Sequence, residues 1–229
     1  MSSFRSVIID LDGTLIDTSG DFHAAIMPML TELNLAPLDI ETILRLVGKG
    51  TDNLVRSVLS LYWSEEQVNT HFDQALATYK HYYKVMNGRN AEVYPGVLEG
   101  LETMKEQNLL LSCVTNKPIA FAEPLLESKG LRHYFDFVFG GDSFTKSKPN
   151  PEPILGACTA MQTTPAETLV IGDSCNDALS ARAAGCTIWV LPYGYNHGQD
   201  VQSIDADGIV QTLHEAAVRL AHGVKPHSH

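Results

Sequence analysis

Two aspartates one residue apart, Asp10 and Asp12, follow directly on the apolar run Val7-Ile8-Ile9 and are closed off by Gly13-Thr14. Carboxylates held in different environments divide their labour, so Asp10 suits a nucleophile and Asp12 a proton donor and acceptor. Further along, Thr115 offers a hydroxyl and Asn116 an amide, donors matched to phosphoryl oxygens. Lys148 stands in Lys146-Ser147-Lys148-Pro149-Asn150-Pro151, where the prolines stiffen the backbone and forbid a helix. A fixed ammonium there suits a phosphate, whereas Lys146 reads as a solvated surface charge. Asp173 and Asp177 bracket Ser174-Cys175-Asn176 and supply the hard oxygen ligands that Mg²⁺ takes beside a phosphate. Asp177 also suits the first turn of a helix, where the dipole favours an acid.

These groups do chemistry together only if the chain brings them to one edge. The run Val7–Ile9 is β-branched throughout and ends in an acid, the pattern of a buried parallel strand at its carboxyl end. Four more strands are expected at 109–114, 135–139, 168–171 and 187–191, with helices near 97–104, 119–129, 152–161 and 178–184 between them. This alternation predicts a doubly wound parallel α/β sheet, and such sheets bind ligands at the carboxyl ends of their strands. Residues 21–86 break the rhythm. Phe22, Ile26, Met29, Leu30 and Leu33 share one helical face, and Phe72, Ala75, Leu76, Tyr79, Tyr82 and Tyr83 repeat the spacing. The reading is therefore an α/β core of residues 1–16 plus 93–229 carrying an all-helical insert, 17–92. Its hinges fall near Asp17–Gly20 and Asn87–Asn90.

Composition narrows the classes. The 229 residues are 44% hydrophobic and 19% charged, enough for a sizeable core. A net charge of −11 argues against a nucleic-acid partner, which demands a basic stripe. No apolar run approaches a membrane span and the amino terminus lacks the pattern of a signal peptide, so a cytoplasmic location is expected, away from membranes. Cys113, Cys158, Cys175 and Cys186 form no paired framework and are expected as free thiols, three of them in the core. The segment from Gly223 onward, with His227 and His229 after His222, reads as a fraying tail. Monomer and homodimer are equally compatible with the sequence.

Asp10-Leu11-Asp12-Gly13-Thr14, Thr115-Asn116, Lys148-Pro149 and Gly172-Asp173-Ser174-Cys175-Asn176-Asp177 resemble, in order, the four motifs of the haloacid dehalogenase superfamily of phosphohydrolases. The helical insert lies where the first cap type of that superfamily lies. Within it, Val114-Thr115-Asn116-Lys117-Pro118, Tyr134-Phe135-Asp136 with Gly140-Gly141-Asp142, and Tyr193-Gly194-Tyr195-Asn196-His197-Gly198 look like bacterial phosphoglycolate phosphatases. The resemblance implies an Asp10 nucleophile, Asp12 as general acid and base, and Thr115 and Lys148 on the phosphoryl group. It places Mg²⁺ on Asp10, the backbone carbonyl of Asp12, and Asp173, with Asp177 in support. A dehalogenase has no need of the second aspartate.

The core motifs read a phosphate but not the group it leaves behind. That selection is expected from the insert, where Arg45-Leu46-Val47-Gly48-Lys49-Gly50-Thr51 combines flexible backbone with two cations. Arg45 and Lys49 are the expected partners of a substrate carboxylate, with Asn116 beside them. His23 is expected to pack or face solvent, Tyr195 to pack, and His197 to line the site or cover it. Rival substrates are a sugar phosphate, including an amino-sugar acid 6-phosphate, and pyrophosphate. A receiver-type signalling domain shares the phosphorylated aspartate but lacks an insert. A dinucleotide binder lacks here its Gly-x-Gly-x-x-Gly loop.

Overall fold

The computed structural model describes residues 4–223; His227 and His229 lie outside them, and His222 is exposed at the end of the last helix. Strand β1 (Ser6–Ile9) is buried at every position, as a strand covered on both faces must be. It pairs in parallel with β4 (Leu110–Val114) on one side and β6 (Thr168–Gly172) on the other. Outward from these lie β5 (Phe137–Phe139) beyond β4, and β7 (Thr187–Val190) then β8 (Gly208–Ile209) beyond β6, giving the order β5-β4-β1-β6-β7-β8.

Alternate residues of the strands feed two cores. Val7, Ile9, Leu169, Ile171 and Trp189 face one cluster, closed by helices α5 (Val97–Glu106), α6 (Ile119–Ser128) and α9 (Leu213–Ala221). Ile8, Val170, Ile188 and Val190 face the other, closed by α7 (Glu152–Ala160) and α8 (Cys175–Ala184). Each buried aliphatic side chain contributes roughly 1.5–3 kcal/mol, and sliding one strand by a residue would exchange the two faces. That fixes the register. Ile9 lies beside both Cys113 and Ile171, so the residues that follow β1, β4 and β6 emerge side by side.

The chain leaves the core at β2 (Ile16–Asp17) and returns at β3 (Glu92–Val93), and these two crossings pair with each other as an antiparallel ribbon. Between them run α1 (Ser19–Glu32), α2 (Ile40–Leu44), α3 (Thr51–Leu59) and α4 (Glu65–Met86), packed on a hydrophobic cluster of their own. Ser64 and Gln67 form a capping box at the start of α4. The first crossing is shorter than its composition suggests, because α1 begins at Ser19. Asp21 explains the tightness: fully buried, it accepts the backbone N–H groups of Gly88 (2.6 Å) and Asn90 (2.8 Å) and so ties the two crossings together. The ribbon, β8 and α9 lie outside the elements that sequence patterning anticipates. Strands of two residues carry no periodicity.

All four cysteines are free, and Cys113, Cys158 and Cys186 are buried. Among the described residues, no helix is long and apolar enough to cross a membrane.

Candidate active site

At the carboxyl ends of β1, β4 and β6 the sheet opens into a cavity between core and insert. Asp10, Asp12, Thr115, Asn116, Lys148, Asp173 and Asp177 all line it. β1 is flanked by strands reached through opposite crossovers, so this is the switch point of the doubly wound sheet.

Asp10, Asp173 and Asp177 form one acidic cluster, with an oxygen from each within 4.8 Å of the others. Lys148 is set among them. Its Nζ lies 2.8 Å from Asp10 Oδ1 and 2.6 Å from Asp177 Oδ1, and donates to the carbonyl of Val114 at 2.7 Å. Two of the ammonium hydrogens are thus bonded to protein oxygens, Asp177 Oδ1 and the Val114 carbonyl. Burial pulls the Lys148 pKa down, but the charges of Asp10 and Asp177 outweigh it and hold the amine protonated well above its usual range. Burial pushes Asp10 up to about 7, with Asp177 adding to the effect and Lys148 opposing it. Asp173 is driven up in the same way, by burial first and then by Asp177 and Asp10. One lysine does not balance three buried carboxylates.

This arrangement fits a divalent cation. The donors are hard oxygens, and Asp10 Oδ1 is buried with no hydrogen bond of good geometry, despite the nearby ammonium. The carboxylates are also aimed. Asp173 accepts from Thr14 Oγ1 and the backbone N–H of Tyr195, both at 2.7 Å, and Asp177 caps its own helix through Ser174. Glycine makes room: a Cβ at Gly194 would overlap the Asp173 carboxylate, and one at Gly172 would meet Asp177 at 2.4 Å or slightly more. Side chains at either position would displace the cluster.

Asp12 belongs to a different set. Its Oδ1 accepts from Thr18 Oγ1 at 2.7 Å and from Lys117 Nζ at 2.8 Å, and its carboxylate is not part of the acidic cluster. Lys117 is itself buried and reaches on to the hydroxyl of Tyr83 on α4, with the rings of Phe22 and Tyr83 within 5.0 Å of its Nζ. Sequence patterning does not single out Lys117. The available signal is its offset from Thr115 at the end of β4, which turns it back toward the site. Tyr83 and Phe22 likewise read from sequence only as core residues of the insert, yet both line the cavity.

Three expectations change on inspection. Asn116 does not hold its amide toward the cavity: its Nδ2 donates to the carbonyls of Gly48 (2.9 Å) and Lys148 (2.8 Å), and its Oδ1 accepts from the Lys148 N–H. It clamps the lysine loop to the insert. Arg45 and Lys49 are exposed and do not line the cavity; the same loop enters through Val47, Gly48, Gly50 and Thr51 instead. A short loop that turns its glycine backbone inward points its long cations outward. Lys146 is exposed, and His23 is absent from the lining.

His197 does line the cavity, 3.4 Å from Asn176 Nδ2, and burial lowers its pKa from the ordinary value. Tyr195 bolts the crossing to the core: its hydroxyl accepts from the Thr18 N–H at 2.6 Å and donates to Asp17 Oδ1 at 2.8 Å.

Comparison with known proteins agrees with this layout. The family model of haloacid dehalogenase-like hydrolases matches residues 7–191. Over 212 residues, 93% of each chain, the protein is 44% identical to a phosphoglycolate phosphatase of Nitrosospira multiformis. It is 42% identical to one of Thiobacillus denitrificans, over 94% of this chain and 95% of that one. The crystal structure of a predicted phosphoglycolate phosphatase from Haemophilus somnus superimposes with a TM-score of 0.86 at 29% identity, covering 94% of this chain and 97% of the other. With its sheet order, its strand-end carboxylates and these relatives, the chain belongs to the haloacid dehalogenase-like hydrolases.

Proposed function

We propose that the protein hydrolyses phosphate monoesters by way of an aspartyl-phosphate on Asp10, with 2-phosphoglycolate as its substrate. The observation that carries the mechanism is the separation of Asp10 from Asp12. One carboxylate sits in a cation-binding cluster beside Lys148 and the other is turned toward Lys117 and Thr18. Environments this different let neighbouring acids take different roles.

In the first half-reaction a carboxylate oxygen of Asp10 attacks phosphorus. The bond from phosphorus to the ester oxygen breaks, and Asp12 delivers its proton to the departing alkoxide. In the second, Asp12 takes a proton from water, the water oxygen attacks the phosphorus of the aspartyl-phosphate, and inorganic phosphate leaves with Asp10 restored. Lys148 stabilises negative charge as it builds on the phosphoryl oxygens, and the buried Thr115 hydroxyl stands at the same strand end. Asp10, Asp173, Asp177 and the carbonyl of Asp12 would hold Mg²⁺, which supplies charge neutralisation at the transferring phosphate. The choice of 2-phosphoglycolate rests on the two relatives above 40% identity, each a phosphoglycolate phosphatase.

The test is a set of specificity constants over phosphate monoesters and pyrophosphate, with Mg²⁺ and with chelator. The proposal expects 2-phosphoglycolate to lead and chelation to abolish turnover. A sugar phosphate in first place would overturn the substrate, and full activity without metal would overturn the site.

A further inference from the structure

We infer that Lys117, together with Tyr83, recognises the carboxylate of the substrate, so that the selected class is the phosphate esters of α-hydroxy acids. The inference rests on the phosphoglycolate reading and names the residues that would make the choice.

Among the described lysines and arginines, only Lys117 and Lys148 line the cavity. Lys148 is committed to the acidic cluster and the phosphoryl group: its Nζ lies 2.8 Å from Asp10 Oδ1, and its hydrogens are engaged by Asp177 Oδ1 and the Val114 carbonyl. Lys117 has two of its three so engaged, with Asp12 Oδ1 at 2.8 Å and Tyr83 Oη at 2.5 Å. One N–H of a buried ammonium therefore remains for a ligand. Tyr83 accepts from Lys117, and no acceptor for its own hydroxyl hydrogen is found among the described residues. Burial keeps that phenol protonated. A spare N–H and a spare O–H on atoms 2.5 Å apart match the paired oxygens of one carboxylate.

The position agrees with the chemistry. Asp12 must meet the ester oxygen to protonate it, and in an α-hydroxy acid the carboxylate is attached to the very carbon that bears that oxygen. A cation in contact with Asp12 lies where that carboxylate falls. The same cavity is lined by Phe22, Val47, Leu54 and Tyr79, whose apolar surfaces strengthen a charge interaction. Because Lys117 comes from the core and Tyr83 from the insert, the pair forms only when the two are together.

The experiment compares 2-phosphoglycolate with 2-hydroxyethyl phosphate, its counterpart lacking the carboxylate charge, on wild type, Lys117→Met and Tyr83→Phe, each checked for folding by thermal melting. Lys117→Met should lower the preference for the acid, the ratio of the two specificity constants, by about ten- to hundredfold, and Tyr83→Phe should lower it several-fold. An unchanged ratio in folded Lys117→Met, with both substrates slowed alike, would reduce Lys117 to a support for Asp12 and overturn the inference. A wild type with no preference for the acid would instead overturn the phosphoglycolate reading beneath it. Should Lys117→Met fail to fold, the crystal structure of Asp10→Asn with 2-phosphoglycolate decides. The carboxylate is expected about 3 Å from Lys117 Nζ; finding it on Arg45 or Lys49 would contradict the proposal.

Discussion

The core wall of the cavity and the insert wall opposite it are made of contrasting materials. The core presents three carboxylates and a lysine at the ends of β1 and β6, the first turn of α8 and the loop before α7, with Asp173, Asp177 and Lys148 held by short bonds. The insert presents aromatic rings, aliphatic side chains, Thr51 and the backbone of Gly48. The charged wall can act on any phosphate brought to it. The apolar wall has no reacting group but excludes water and restricts what arrives. In the proposed mechanism chemistry and selection are carried by different parts of the chain, which meet where Lys117 touches Tyr83.

Variants that disable one wall and spare the other sharpen this contrast. The largest effect is expected from Asp10→Asn, which keeps size and removes the nucleophile: turnover of every substrate should fall about a thousandfold or more, with the melting temperature preserved. Near wild-type turnover would end the mechanism. Lys148→Met should come next, since it leaves Asp10, Asp173 and Asp177 buried without a counter-charge; a stability loss of about 3–5 kcal/mol is expected in chemical denaturation with chelator present. Mg²⁺ should restore part of it.

Binding of that ion should itself stabilise wild type, by about 2.7 kcal/mol at a concentration a hundredfold above its dissociation constant. The rise should shrink in Asp173→Asn. Without metal the pH dependence has a defined sign. Asp10 binds its proton more tightly folded, at about 7, than unfolded, near 3.8, so its contribution to stability declines as pH rises through that window. Asp10→Asn mimics the protonated form. Its stability relative to chelated wild type should grow between about pH 4 and 7 and then level off; a difference flat across this range would contradict the burial of Asp10.

Smaller still is Asn116→Ala, which releases the clamp between Gly48 and the Lys148 loop. It should cost about 1–3 kcal/mol and raise KM, whereas Asn116 acting on phosphate would lower kcat instead. Arg45→Met and Lys49→Met should change specificity constants by less than about fivefold, as befits solvated charges.

The charged wall was legible from sequence because its position is encoded locally. Val7-Ile8-Ile9 and Thr168-Leu169-Val170-Ile171 announce buried strands, and the residue that ends each run sits at the sheet's edge whatever else the chain does. The insert wall was not. Arg45 and Lys49 stand out by composition, but the direction of a side chain on a loop is decided by what the loop packs against, here Asn116 and Asn176 on the Gly48 carbonyl. Lys117 acquires its meaning only from Asp12 and Tyr83, partners 105 and 34 residues away. Asp21 similarly looks like an ordinary helix-start acid until Gly88 and Asn90 return to it.

The central claim is that Asp10 carries the phosphoryl group while the leaving alcohol departs. Acid quenching of the wild-type enzyme during turnover of 2-phosphoglycolate, followed by mass spectrometry of the peptides, tests it directly. A fraction of the peptide containing Asp10 is expected to be heavier by one phosphoryl group, a species absent in Asp10→Asn and absent before substrate is added. Active enzyme whose phosphoryl group appears on another residue, His197 for example, would contradict it.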